Sequence, residues 1–258
     1  MEKITNSPTG LLSISVVSHG QMALVTLLMA DIQKHCGDLD IELILTLNIQ
    51  EQLEFRESDY FYPIKVVRNQ TPKGFGANHN QAFKHASGQY FCVINPDIRF
   101  ESEPFSALLV YLRNPVVGVV APLVLGPDGG IENSVRRFPT PLTILFKVVG
   151  ANQKSDYSLI TRDFEPDWVG GMFMLFSHQV FDEVHGFDER YFLYYEDVDL
   201  CGRLRLAGYQ VAVCSDSQVI HHAQRSSHRS LKFLRWHIAS MLRFFLSPVY
   251  RQLNRQQP

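Results

Sequence analysis

Between Leu11 and Ile94, short apolar runs alternate with helix-spaced stretches, and this alternation narrows the possible folds more than any other property of the chain. The runs are Leu11-Leu12-Ser13-Ile14-Ser15-Val16-Val17, Ile41-Glu42-Leu43-Ile44-Leu45-Thr46-Leu47, Ile64-Lys65-Val66-Val67 and Tyr90-Phe91-Cys92-Val93-Ile94. Each is short and rich in β-branched or aromatic residues, as a buried strand is. Met22 to His35 and Ala77 to Ala86 carry helical spacing between them. Such alternation predicts an α/β fold, a mostly parallel central sheet flanked by helices. Ligands of open parallel sheets lie beyond the carboxyl ends of the strands. Those ends here are Ser18-His19-Gly20, Asn48, Arg68-Asn69 and Asn95-Pro96-Asp97. Further along, Val116 to Pro122 and Gln210 to Cys214 read as strands, Leu125 to Gly130 as a turn, Trp168 to Phe176 as a glycine-interrupted apolar run, and 136–166 as a long surface segment.

With 258 residues, 45% hydrophobic and 19% charged, the chain can bury a full core, and global disorder is excluded. Cys36, Cys92, Cys201 and Cys214 form no CxxC pair, which suits reduced thiols in a cytosol. The start, Met1 to Gly10, has no charged residues followed by a long apolar core, so neither a signal peptide nor a spanning helix is expected. The formal charge of −2 is unevenly distributed. Residues 217–258 hold seven Lys and Arg (Arg225, Arg229, Lys232, Arg235, Arg243, Arg251, Arg255) and no Asp or Glu, leaving −9 on the rest. A basic tail of this kind suits an anionic surface.

The densest chemistry is Tyr194-Tyr195-Glu196-Asp197-Val198-Asp199, three carboxylates between an aromatic run and a helix-like stretch. Crowded carboxylates beside aromatic surface are costly unless a cation or a reactive proton is near. At a helix start Asp197 can be a cap or a base that the helix dipole keeps ionised. Asp199 and Arg203, four apart, are expected to pair on the helix. Asp97 can close an Asx-type turn or bind a hard divalent ion together with diphosphate oxygens. Pro72 to Asn80 contains a glycine loop entering a helix, and Gly170-Gly171 permits close backbone approach.

Taken in order, Ser18-His19-Gly20, Asn69, Gly74-Phe75-Gly76-Ala77 with Asn80, Asn95-Pro96-Asp97, Val169-Gly170-Gly171, Gly186-Phe187-Asp188-Glu189, Tyr195-Glu196-Asp197-Val198-Asp199 and His221-His222 resemble family 2 glycosyltransferases over about residues 11–226. The likeness is strongest to bacterial rhamnosyltransferases of O-antigen and cell-wall polysaccharide synthesis. It implies an A-type glycosyltransferase fold for 1–226, a nucleotide-diphosphate sugar donor, Mg2+ or Mn2+, and inversion at the anomeric carbon. By this likeness Asp197 is the general base with Glu196 beside it, and Asp97 and His221 hold the metal, with His222 competing for that place. Ser18, His19, Asn48, Asn69, Gly74, Phe75, Gly76, Asn80, Asn95 and Asp97 face the donor; Gly170, Gly171 and Glu196 face the acceptor. Two departures stand out: Asn95 replaces the first Asp of the family's Asp-x-Asp, and Leu47 replaces the Asp of an Asp-Asn pair that contacts the nucleoside. The implied reaction moves L-rhamnose from dTDP-rhamnose to a polyprenyl-diphosphate-linked saccharide at the cytoplasmic membrane face. A UDP- or GDP-linked hexose donor and a non-catalytic glycan-binding subunit remain as rivals.

Residues 227–258 form a basic amphipathic helix and tail. Leu231, Leu234, Ile238, Met241 and Phe245 recur at helical spacing, with Arg229, Lys232, Arg235 and Arg243 opposite. The stripe suits either an anionic membrane surface or packing on the domain. No groove-reading or RNA-binding module accompanies it, which excludes nucleic acid as the expected partner.

Overall fold

The computed structural model describes residues 11–148, 164–223 and 231–256. Met1 to Gly10, Arg225, Arg229 and the 226/227 boundary lie outside the described residues. In chain order the elements are β1 (Leu12–Ser18), α1 (Met22–His35), β2 (Ile41–Leu47), β3 (Ile64–Arg68), α2 (Phe75–Phe83), β4 (Tyr90–Ile94), β5 (Ile98–Arg99) and α3 (Phe105–Tyr111). The second half adds β6 (Val117–Leu125), β7 (Val135–Arg136), α4 (Pro141–Val148), β8 (Trp168–Val169), β9 (Phe173–Ser177), α5 (His178–Glu183), α6 (Glu196–Leu206), β10 (Gln210–His221), α7 (Leu231–Leu246) and α8 (Pro248–Gln256).

The main sheet has eight strands in the order β3-β2-β1-β4-β9-β6-β10-β5. Its first half is parallel, as the alternation predicts. Leu12 pairs with Ile41 and Tyr90, and Ser18 with Leu47, so the strand ends named above gather on one edge. β9 then enters antiparallel to both β4 and β6, which makes the sheet mixed. β10 returns parallel to β6, and the two-residue β5 closes the far edge antiparallel to β10. The apolar run from Trp168 to Phe176 is two strands rather than one. β8 pairs with β7 in a separate ribbon, and Gly170-Gly171 turns the chain into β9.

Side-chain alternation distributes each strand between two cores. On β4, Cys92 and Ile94 join the layer under α1 and α3 with Val25, Leu28, Met29 and Leu108. Phe91 and Val93 face the other layer, with Phe176, Phe181, Leu200 and Leu204. A fully buried side chain such as Phe91 contributes roughly 1.5–3 kcal/mol of transfer free energy. All four cysteines are buried and unpaired by disulfides.

The two C-terminal helices pack on this second layer. Phe244 and Leu253 are buried within it, and a Cβ on Gly202 of α6 would stand 2.8 Å from Val249 Cγ1, so α8 lies directly on α6. α7 attaches by a face that includes Met241 and Phe245 of the sequence's apolar stripe but not its other three members. Phe192 and Trp236 pack with ring centroids 4.5 Å apart, His237 contacts Tyr194 and Tyr195, and Phe244 contacts Tyr195. Leu231, Leu234 and Ile238 are instead exposed, together with Leu242 and Leu246. The aromatic rings offered by residues 192–195 decide which face goes inward.

Candidate active site

The loop before α6 places the carboxylates. Tyr194 (φ 70°) and Tyr195 (φ 67°) are both left-handed, a conformation that costs non-glycine residues roughly 1–2 kcal/mol each. This double turn starts α6 at Glu196, so Glu196 and Asp197 both lie in the first helical turn. Asp197 is partly exposed. Its Oδ2 accepts the Gly171 N–H at 3.1 Å and its Oδ1 the Val198 N–H at 2.9 Å. Burial among protein groups raises the Asp197 pKa above its ordinary value, and the two N–H donors and nearby Arg136 offset only part of that. The helix dipole invoked from sequence therefore does not dominate: desolvation is the larger effect here.

Glu196 is buried, and its Oε2 has no hydrogen-bond partner. Burial first, and the neighbouring Asp197 second, push its pKa well above the usual carboxylate range. Both carboxyls are thus shifted upward, Glu196 the more strongly, and Asp197 is the more accessible of the two. Asp199 pairs with Arg203 at 2.7 Å, as the four-residue spacing predicts. Arg203 also donates to the carbonyls of Val184 and Gly186, tying α6 to the preceding loop.

A second cluster forms where β10 ends. His221 pairs with Ile98 in the β10–β5 ladder, which sets its ring against Asp97. His221 Nε2 lies 3.4 Å from Asp97 Oδ1, a buried oxygen without a hydrogen-bond partner. The His222 backbone N–H donates to the Asp97 carbonyl, and its side chain is exposed, so His221 is the histidine that faces Asp97. Glu132, which the sequence analysis missed, reaches the other ring nitrogen, Nδ1, at 2.6 Å. Burial lowers the His221 pKa, but the flanking Asp97 and Glu132 outweigh it and the net shift is upward.

Asp97 and His221 fit a hard or borderline divalent ion: one partnerless carboxylate oxygen and one imidazole nitrogen converge, and Asn95 is partly exposed beside them. Among the described residues no three His, Cys, Asp or Glu side chains are arranged to hold an ion by themselves. Two protein ligands leave the remaining positions to a diphosphate and water, as Mg2+ sites commonly do.

The two clusters share a seam. The Asn95 N–H donates to the Met172 carbonyl at 2.9 Å, and the adjacent Gly171 holds Asp197. Gly170 donates to the Ser134 carbonyl. Arg136 on β7, also missed from sequence, lies 6.0 Å from the Trp168 ring, and its charge offsets a small part of the burial-driven rise in the Asp197 pKa.

The predicted donor residues lie along the strand-end crest, several with their amides already engaged. Asn48 Oδ1 accepts from Lys73 N and Asn69 Nδ2, and Asn48 Nδ2 donates to the Lys73 carbonyl and lies 3.2 Å from His19 Nδ1. Asn69 also donates to Asn78 but leaves a buried Oδ1 unpartnered. Ser18 Oγ and the Gly20 N–H both donate to Glu51, at 2.8 Å each, another carboxylate the sequence analysis missed. His19 is exposed. Asn80 clamps Phe187 through its N–H and carbonyl. The Phe75 N–H binds the Phe192 carbonyl, and Cβ atoms on Gly74 or Gly76 would meet Phe192 O at 2.6 Å or Phe187 Cβ at 2.5 Å. The glycine loop therefore seats the segment 187–195, which carries the carboxylates.

Comparisons with known proteins bear on the family and the fold. The model of glycosyl transferase family 2 matches residues 46–181, and one described as the N-terminal domain of galactosyltransferase matches 157–229. The rhamnosyltransferase WbbL of Escherichia coli is 27% identical over 90% of this chain and 91% of its own. The N-acetylglucosaminyl-diphospho-decaprenol L-rhamnosyltransferase of Mycobacterium tuberculosis is 34% identical over 53% of this chain, which spans 48% of that relative. Among solved structures, GalNAc-T7 with UDP, GalNAc and Mn2+ aligns with TM-score 0.63 and 15% identity over 83% of this chain and 43% of its own. The mannosyltransferase PcManGT of Pyrobaculum calidifontis, with GDP-Man and Mn2+, aligns at 0.58 and 15% identity over 90% and 64%. These structural likenesses establish the A-type glycosyltransferase fold. With more than half of the sequence matched by the family model, the chain belongs to glycosyl transferase family 2 and is a glycosyltransferase.

Proposed function

We propose that this enzyme is a metal-dependent, inverting rhamnosyltransferase that moves L-rhamnose from dTDP-rhamnose to a polyprenyl-diphosphate-linked saccharide in surface-polysaccharide synthesis. The observation that carries the reading is the seam at Gly171: Asp197 is held there by a backbone N–H, beside the residue whose carbonyl binds Asn95, two positions from Asp97. This backbone connection supports a proton acceptor and a diphosphate-binding corner that work on one bound donor. The names of the bacterial relatives support rhamnose and a lipid-diphosphate acceptor.

In this reading the acceptor hydroxyl lies against Asp197. As its oxygen bonds to the anomeric carbon, the bond from that carbon to the donor diphosphate breaks on the opposite face. The hydroxyl proton passes to Asp197, and the nucleoside diphosphate leaves with the bonding electron pair. The upward shift of the Glu196 carboxyl disfavours a second negative charge beside Asp197, and the Gly171 and Val198 N–H groups fix the orientation of the Asp197 oxygens. Asp97 and His221 would hold a divalent ion, which when bound would supply positive charge against the departing diphosphate. The mechanism predicts that Asp197→Asn lowers transfer by about 10^2–10^4-fold, the usual contribution of a general base, while dTDP-rhamnose binding by calorimetry persists. Unchanged transfer removes Asp197 from the mechanism.

The proposed site of action is the cytoplasmic face of the membrane, with the enzyme attached peripherally. No helix among the described residues is long and apolar enough to cross a bilayer. The outer face of α7 supplies an attachment: Leu231, Leu234, Ile238, Leu242 and Leu246 are exposed in one stripe, with exposed Lys232, Arg235 and Arg243 around it. Apolar side chains that enter the acyl boundary and cations that meet anionic headgroups are the two requirements for an interfacial helix.

A further inference from the structure

We propose that Glu132 is a positioning residue for His221, fixing the ring so that Nδ1 carries the proton and Nε2 turns its lone pair toward Asp97 and the metal. This rests on the metal reading above. The local sequence explains how Glu132 gets there. β6 ends at Leu125, paired with Ile220 of β10. The turn Gly126-Pro127-Asp128-Gly129-Gly130 then reverses the chain, closed by Gly126 N–H to Gly130 O at 2.7 Å and by Gly129 at φ 77°. The returning Ile131 bridges Leu125 antiparallel, and the Glu132 N–H donates to Val124 O. Glu132 is thereby anchored by its backbone beside the strand that ends in His221, and its Oε2 meets Nδ1 at 2.6 Å.

An imidazole has two nitrogens, and a carboxylate can only accept, so a carboxylate at Nδ1 requires the proton there. The neutral ring then has its free lone pair on Nε2, the nitrogen 3.4 Å from the unpartnered Asp97 Oδ1. Carboxylate–histidine–metal relays of this form orient the ring and raise its donor strength, and loss of the outer partner costs 10–100-fold in metal affinity. With one carboxylate at Asn95-Pro96-Asp97 where the family pattern has two, the imidazole carries a larger share of the protein's hold on the ion.

The test measures Mn2+ binding to the full chain by electron paramagnetic resonance with saturating dTDP, for wild type, Glu132→Ala and Glu132→Gln, each checked for fold by thermal denaturation. Glu132→Ala is expected to weaken Mn2+ binding 10–100-fold. Glu132→Gln, whose amide oxygen still accepts the Nδ1 proton, retains most of it. In parallel, 15N–1H correlation spectra of neutral His221, assigned with His221→Gln, should show the proton on Nδ1 in wild type. Wild-type affinity in folded Glu132→Ala, or a proton on Nε2 in wild type, overturns the inference. A wild type that binds no Mn2+ overturns the metal reading itself, and the tautomer then decides the role of Glu132 alone. If Glu132→Ala does not fold, Glu132→Gln and the wild-type tautomer still decide: loss of Mn2+ binding in folded Glu132→Gln refutes the role as an acceptor.

Discussion

Replacing Glu196 by glutamine tests the division of labour inside the carboxylate pair without assaying transfer. Glu196 is 5% exposed and its Oε2 has no partner. Its folded pKa is raised well above 4.5 by burial and by Asp197. The sign follows from linkage: a group with a raised folded pKa favours the fold fully below its unfolded pKa, and that support is lost as pH rises toward the folded pKa. In that window the unfolded chain releases the proton and the folded chain keeps it, so stability declines by about 1.4 kcal/mol per pH unit for one group. Glutamine cannot titrate. The stability of Glu196→Gln minus that of wild type should therefore rise as the pH is raised above about 4.5, with a limiting slope of about 1.4 kcal/mol per pH unit. Urea unfolding of both proteins over a pH series measures it, because titrating groups that do not interact with Glu196 cancel in the double difference, and Asp197 is the neighbour that does interact. A difference that does not change with pH would mean Glu196 is ionised in the fold, and the upward shift of its carboxyl would be refuted.

Three further outcomes are expected. Arg203→Met leaves Asp199 buried without its cation and the Val184 and Gly186 carbonyls without a donor, and should destabilise the protein by about 3–5 kcal/mol in chemical denaturation. Gly202→Ala inserts a methyl 2.8 Å from Val249 Cγ1 and 3.1 Å from Leu253 Cδ1, so the side chains that α8 packs on α6 must give way, at about 1–3 kcal/mol by the same measurement. Leu234→Glu with Leu242→Glu places charge on the exposed stripe of α7 and should abolish co-flotation with vesicles rich in anionic lipid at unchanged thermal stability; retained flotation removes this face from the membrane reading.

The first half of the fold was legible because its signals are local. α1 spans the same Met22 to His35 that the periodicity marks, and β2 and β4 coincide with their apolar runs. The direction of β9 was not legible, since a buried apolar strand looks the same parallel or antiparallel. The two-residue β5, β7 and β8 carry too few residues to show a period. In the site, the chemistry of Asp97, Asp197 and His221 was readable one residue at a time, but their convergence depends on pairings such as His221 with Ile98. Glu132 lies 89 positions from His221, and its only local signal is that it follows a glycine turn. Asn48 and Asn80 show the converse: amides at strand ends and helix starts suit ligands, yet here they close loops. The direction of the Asp197 shift depends on how much protein surrounds it, which no spacing rule contains.

The C-terminal helix and the carboxylates belong to one structural argument. Two consecutive tyrosines in the left-handed region would relax if nothing opposed them, at a gain of roughly 1–2 kcal/mol each. The inner face of α7 opposes it: His237 packs on both rings, Phe244 packs on Tyr195, Trp236 covers Phe192, and Ser240 Oγ donates to the Leu193 carbonyl at 2.9 Å. Those contacts set the entry of α6, and the entry of α6 sets where Asp197 meets Gly171. The same helix turns Leu231, Leu234, Ile238, Leu242 and Leu246 outward. A surface that captures the outer stripe therefore bears on the element that braces the strained turn, and the position of Asp197 is coupled to the seating of α7 rather than fixed by α6 alone.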